Sequence, residues 1–308
     1  MNIHQHHQRR SIWIVWTCAF GMLAMVGCGP GADLGPVANS QQSRDIREAL
    51  ASASESSGGG APAATATGTG WATIRGRFLY DGSSPTMPPY NVTKDPATCA
   101  PGGRAPLQQT LLVESGTGGI KNVAVYLRDA SRVHESAQPS SESVLYDQKV
   151  CVFLSHVMAV AVGQTLDIKN SDPVGHNTNI SGKKNTFNQT IPAGETIPYK
   201  VQQEEATPAP VNCSIHPWMI AYLLPRENGY VAVTAADGSF EIANLPAGEK
   251  LEIQVWHESA AGPGGGLVVS TPEAKQLNWS SKGRFTVTLQ PDEVKEVEVT
   301  VPASAFRG

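Results

Sequence analysis

Residues 229–258 read GYVAVTAADGSFEIANLPAGEKLEIQVWHE. Three runs rich in Val, Ile and aromatic residues are separated here by Ala236-Asp237-Gly238 and by Leu245-Pro246-Ala247-Gly248. Runs of this kind specify strands, because β-branched side chains suit a pleated chain and the Gly, Pro, Asn and Asp between them supply turns. Both punctuations read as hairpin turns. Outward from this stretch the pattern repeats in ATIRGRFLY (72–80), KNVAVYLRD (121–129), KVCVFL (149–154), QTLDIKN (164–170), RFTVTLQ (284–290) and VKEVEVTV (294–301). No amphipathic helix exceeds three turns. The expected fold class is all-β, built as one or two sandwiches.

The composition allows a packed core, with 308 residues of which 40% are hydrophobic and 16% charged. A net charge of -4 weighs against a phosphate backbone as partner, so no nucleic-acid role is expected. Five cysteines are too few to build a disulfide scaffold. Arg9 and Arg10 precede the apolar run SIWIVWTCAFGMLAMVG (11–27), the order of a secretory signal. Met25-Val26-Gly27-Cys28 resembles a bacterial lipobox, which implies removal of residues 1–27 and lipidation of Cys28. The competing reading is an uncleaved anchor, since the run reaches the lower limit for a membrane span. Either way the chain is expected in the bacterial cell envelope, held to a membrane and facing the periplasm or the exterior. Residues 28–70 are dense in Gly, Ala, Ser, Thr and Pro and read as a disordered tether.

Two stretches resemble the carboxypeptidase regulatory-like, or transthyretin-like, β-sandwich: ATIRGRFLYDG with NVAVYLRD, and DGSFEIANLPAGEKLEIQVWHE (237–258). The economical layout is one Ig-like sandwich made of 71–143 and 236–308, interrupted by an inserted domain at 144–235. Two sandwiches in series are the alternative.

The intervening segment holds the chemistry. Cys213-Ser214-Ile215-His216-Pro217-Trp218-Met219 gives C-x-x-H-x-x-M, and Asn170-Ser171-Asp172-Pro173-Val174-Gly175-His176-Asn177 lies upstream. One thiolate, two imidazoles and a thioether form a full ligand set. Soft sulfur with imidazole selects copper, and a site filled by four side chains favours electron transfer over substrate activation. Zinc is the competing ion, but Met is a poor zinc ligand.

Residues 144–235 resemble a cupredoxin, with a ligand loop similar to that of amicyanin. The leading half, HVMAVAVGQTLDIKNSDPVGHN (156–177), is similar to the cupredoxin stretch that delivers the first His. The resemblance implies a Greek-key sandwich and one type 1 copper held by His176, Cys213, His216 and Met219. It also implies that Asn177 and Ser214 tie the two ligand loops together. Ile215 stands where amicyanin-like loops have Pro, so its N–H is free to reach the Cys213 sulfur and is expected to raise the reduction potential. In related cupredoxins the second His surfaces inside an apolar docking patch, which here would be Pro217, Trp218 and Ile220.

With Cys18 lost in the leader, Cys28 lipidated and Cys213 on the metal, Cys99 and Cys151 are expected to pair in an oxidising compartment. His156, Met158 and His257 are assigned no chemistry. There is no G-x-S-x-G, H-E-x-x-H or phosphate loop, so the chain is not expected to be an enzyme. The expected function is single-electron transfer between envelope redox partners. Copper storage or delivery, and a non-catalytic adhesion or scaffold role, are the alternatives.

Overall fold

The computed structural model describes residues 68–307; the leader, Cys28 and the tether up to residue 67 lie outside the described residues. The protein is all-β. The strands are β1 (Trp71–Asp81), β2 (Ala124–Leu127), β3 (Val144–Lys149), β4 (Val152–Phe153), β5 (Val157–Ala161) and β6 (Thr165–Asn170). They continue as β7 (His176–Ser181), β8 (Thr186–Ile191), β9 (Thr196–Lys200), β10 (Ala209–Asn212) and β11 (Ile220–Arg226). The last five are β12 (Val231–Val233), β13 (Ser239–Pro246), β14 (Lys250–Trp256), β15 (Arg284–Thr288) and β16 (Val294–Pro302). Among the described residues the α-helices are single turns, α1 (Pro96–Cys99) and α2 (Pro272–Gln276).

Four sheets pair into two sandwiches. In the outer one, the sheet ordered β13-β1-β16 faces the sheet ordered β12-β2-β14-β15. Alternation places Ile74 and Phe78 of β1 and Val297, Val299 and Val301 of β16 in one core with Val125, Ile253 and Phe285 of the facing sheet. Gly76 lets β1 lie tightly beside β16, since a Cβ there would sit 1.8 Å from the Val297 carbonyl oxygen. The inner sandwich packs β5-β11-β10-β7-β8 on β4-β3-β6-β9, around Tyr146, Leu166, Ile168, Ile180, Val211 and Leu223. The chain leaves the outer sandwich after β2, builds the inner one, and returns as β12, which pairs antiparallel with β2. Exit and re-entry are therefore adjacent strands. A small apolar cluster of Ala124, Tyr126 and Trp256 against Val157 and Leu224 joins the two bodies.

Three expectations need correction. The boundary at 235 falls too late, because Val231–Val233 already belongs to the outer sandwich through its ladder with β2. The Ala236-Asp237-Gly238 and Leu245-Pro246-Ala247-Gly248 turns are not hairpins: β12 and β13, and then β13 and β14, lie in different sheets, so both turns cross between layers. Finally, KVCVFL is not one strand. Val150 and Cys151 both adopt left-handed φ of 52°, and their N–H groups donate to the Asp172 carboxylate at 2.7 and 2.8 Å. That carboxylate bends the chain back, so β3 and β4 pair antiparallel across the bend.

Candidate metal centre

His176 opens β7, and Cys213 follows β10 directly. These strands are paired neighbours, with Val211 opposite Ile180 and Asn212 opposite Asn179, so their ends deliver the imidazole and the thiol to the same edge of the sandwich. The loop from Cys213 to Met219 is closed by its own backbone. The Cys213 N–H donates to the Met219 carbonyl at 3.2 Å, and the Met219 N–H donates to the His216 carbonyl at 2.9 Å. This short turn carries His216 back over the Cys213 sulfur.

His176, Cys213 and His216 converge, with one donor atom from each lying within 4.8 Å of the others. The two Nδ1 atoms are 3.0 Å apart, and the Cys213 Sγ lies 3.8 Å from the His216 Nδ1. All three residues are buried, both histidines fully. Met219 is buried in the same core cluster. Among the described residues Cys213 is the free cysteine.

Each ring is gripped from behind by a carboxylate. His176 Nε2 lies 2.8 Å from Asp172 Oδ2, and His216 Nε2 lies 2.9 Å from Asp95 Oδ2. A carboxylate only accepts, so both Nε2 atoms carry hydrogen, and both Nδ1 atoms of the neutral rings then present lone pairs to one another. Two lone pairs 3.0 Å apart need a cation between them. A proton is one such cation, and a metal ion bound by nitrogen and sulfur is another. Metal bonds of ~2.0 Å to nitrogen and ~2.3 Å to sulfur, laid end to end, exceed both measured edges, which is what a shared ion requires. The donor set therefore fits a soft or borderline metal.

The surroundings shift the ionisation of each of these groups. Burial alone would push the His176 imidazole down, but the Asp172 carboxylate and the Cys213 sulfur outweigh it and raise it to about 8. Burial would likewise raise the Cys213 thiol. It is instead held below its usual range by His176 and by backbone N–H groups of Asn177, His216 and Ile215. Of these, Asn177 N–H donates to the sulfur at 3.2 Å and His216 N–H at 3.4 Å. Burial lowers His216, with the neighbouring His176 acting in the same direction and Asp95 opposing. Asp172 ionises more readily than a free carboxylate: burial resists, but hydrogen bonds from His176 and from the Cys151 and Val150 N–H groups prevail.

Asn177 Oδ1 accepts from the Ser214 N–H at 3.2 Å and from its hydroxyl at 2.9 Å. Its Nδ2 donates to Asn188 Oδ1 at 2.9 Å and the Gln189 carbonyl at 3.0 Å, so one side chain joins β7, β8 and the ligand loop.

The Cys99–Cys151 disulfide is present and closes over the same end of the molecule, its sulfurs lying within 4.8 Å of a His216 ring nitrogen. The expected docking patch is not formed. His216 is fully buried beneath Asp95, and Trp218 is also buried, with its indole N–H donating to the Cys151 carbonyl at 3.1 Å; Pro217 and Ile220 alone are exposed. For His216 the physical reason is Asp95, from the segment between β1 and β2, which covers the ring; for Trp218 it is the turn between β3 and β4. His156 and His257 lie elsewhere: His156 is paired with Glu258 beside Tyr222, while His257 packs on Phe306.

Sequence reasoning missed both carboxylates. Asp172 sits in the quoted N-S-D stretch four residues before His176, a spacing that brings a turn carboxylate to the ring. Asp95 is separated from His216 by 121 positions and has no such signal.

No family model matches the chain, and no curated protein matches it. Among solved structures, a copper-containing nitrite reductase from Thermus scotoductus SA-01 is similar at 20% identity, over 28% of this chain and 22% of the reductase, with a TM-score of 0.26. The chain thus spans under a quarter of that enzyme's length. Amicyanin from Paracoccus versutus is similar at 13% identity, over 33% of this chain and 97% of amicyanin, with a TM-score of 0.25. A reduced Cu(I) form of an amicyanin mutant is similar at 15% identity over 27% of this chain and 82% of its own, again with a TM-score of 0.25.

Proposed function

We propose that this chain is a cupredoxin-type copper protein that carries single electrons between redox partners of a bacterial cell envelope, tethered there through a lipidated Cys28. The observation that supports it most is the pair of imidazole Nδ1 atoms 3.0 Å apart beside the Cys213 sulfur, in a buried site whose tautomers leave a cation's place between them. His176, Cys213 and His216 would hold the ion, with Met219 as the weak fourth donor. Copper bound there supplies reversible one-electron chemistry, and thiolate with imidazole is the donor set that suits it.

The chain's own residues do the rest. Asp172 fixes the His176 ring by its Nε2–H and keeps the Nδ1 lone pair pointed inward. The Asn177 and His216 N–H groups stabilise the sulfur as thiolate without a proton. Asn177 locks the two ligand loops through Ser214, so the donors keep their places whichever charge the site carries. Full burial of both histidines excludes water as a further ligand and keeps reorganisation small. Trp218 lies against His216 with ring centroids 5.2 Å apart and extends contact from that ring to the β3–β4 turn.

Voltammetry of the copper-loaded protein tests the proposal. A reversible one-electron wave with a single copper per chain supports a carrier. Tightly held copper that exchanges no electrons with an electrode or a small redox mediator supports storage instead and overturns it.

A further inference from the structure

We propose that Asp95 is a positioning residue of the metal centre, contributed by the segment between β1 and β2 to a site whose donors all lie in the inner sandwich. This rests on the reading of His216 as a metal-holding residue.

Asp95 lies in the long segment between β1 and β2 and immediately precedes α1. At that position an Asp ordinarily turns its side chain onto the first free N–H groups of the helix. Here it makes no such bond. The turn is closed by its backbone alone, with Thr98 N–H and Cys99 N–H donating to the Asp95 carbonyl at 3.0 and 2.9 Å. The residue adopts a left-handed conformation, φ 48° and ψ 47°, which Asp enters more readily than most non-glycine residues. The carboxylate released from capping points at His216, with Oδ2 2.9 Å from Nε2.

The other end of the same turn is fastened independently. Cys99 is bonded to Cys151, and the Cys151 N–H donates to Asp172 Oδ2, the oxygen that also holds His176. A closed circuit results: His216 to Asp95, along α1 to Cys99, across the disulfide to Cys151, then to Asp172, to His176, and back to His216 through the facing Nδ1 atoms. Each ring is oriented by a carboxylate, and the two carboxylates are tied to one another. The arrangement fixes His216 as the Nε2–H tautomer, aims its Nδ1 at the Cys213 sulfur, and sets a negative charge behind the ring. Charge in that position raises the ring's donor strength and favours the more positive oxidation state of a bound ion.

The test uses the full chain with Asp95→Asn and Asp95→Ala. In the metal-free protein, long-range 1H–15N correlation reads the His216 tautomer without any metal: the unchanged protein and Asp95→Asn are expected to show Nε2–H alone, and Asp95→Ala a mixture of tautomers. With copper bound, Asp95→Asn keeps the orienting acceptor and loses the charge, so its reduction potential is expected to rise, and Asp95→Ala is expected to alter the Cu(II) electron paramagnetic resonance signature as well. A single Nε2–H tautomer in Asp95→Ala, or a reduction potential in Asp95→Asn equal to that of the unchanged protein, overturns the proposal. Should Asp95→Ala not fold, Asp95→Asn still decides by its potential. Failure of the unchanged protein to bind copper refutes the metal reading, while the tautomer measurement continues to decide the role of Asp95.

Discussion

Replacing Cys99 and Cys151 together with alanine removes a crosslink between residues 52 apart in sequence. A covalent loop of that length takes ~14 cal/mol/K from the entropy of the unfolded chain, so its loss costs about 4 kcal/mol near room temperature. This is roughly three decades in the ratio of folded to unfolded protein and a large share of an ordinary domain's stability. Urea unfolding followed by tryptophan fluorescence reads the change, with the unchanged protein under dithiothreitol as the second arm. Both arms are expected to lose about 4 kcal/mol relative to the oxidised protein. A loss below ~1 kcal/mol in the double-alanine variant would refute the reasoning, because the loop entropy of the oxidised chain would then not be expressed. Equal stability of oxidised and reduced protein would refute it too.

His257 gives a prediction in pH. Burial, reinforced by nearby His156, holds its imidazole down to about 3, so the unfolded chain binds a proton that the folded one refuses. The associated stability is complete above about pH 6.5 and falls by roughly 1.4 kcal/mol per unit as the pH drops toward 3; His257→Gln should flatten that acid limb, and an unchanged limb would count against it. Asn177→Ala removes the side-chain bonds that join the ligand loop to β8, and should cost about 1 kcal/mol in urea unfolding. A cost within error of zero would mean that the loops are held by other contacts. Ile215→Pro deletes one of the N–H groups that stabilise the Cys213 thiolate; the reduction potential should fall, and an equal or higher value would contradict the role given to that N–H.

Strand identity was legible because the period-two alternation of β1, β6 and β16 is written in neighbouring residues and answers directly to the two faces of a sheet. The pairing of Cys99 with Cys151 was legible by counting thiols. Sheet membership was not. The residues on either side of Asp237-Gly238 look the same whether the chain folds back within a layer or crosses to the next, and only long-range packing decides it. The same holds for the KVCVFL bend, where the local preference of Val150 for an extended chain is overruled by a carboxylate 22 positions away. At the candidate metal centre, the proposed donors announce themselves by residue type and spacing, since few side chains have that chemistry. Asp172 and Asp95 do not, because a carboxylate behind an imidazole is recognised only once the fold has set it there. The burial of Trp218 was equally hidden: its indole N–H donates to the Cys151 carbonyl in the β3–β4 turn, a contact that the ligand loop taken alone does not show.

Adding Cu(II) to the metal-free protein and, under the same conditions, to Cys213→Ser measures the centre most directly. A single equivalent should raise an intense visible thiolate-to-copper absorption in the unchanged protein, absent from the variant. Copper bound without that absorption, or the same spectrum from both proteins, would contradict a centre held by Cys213 between His176 and His216.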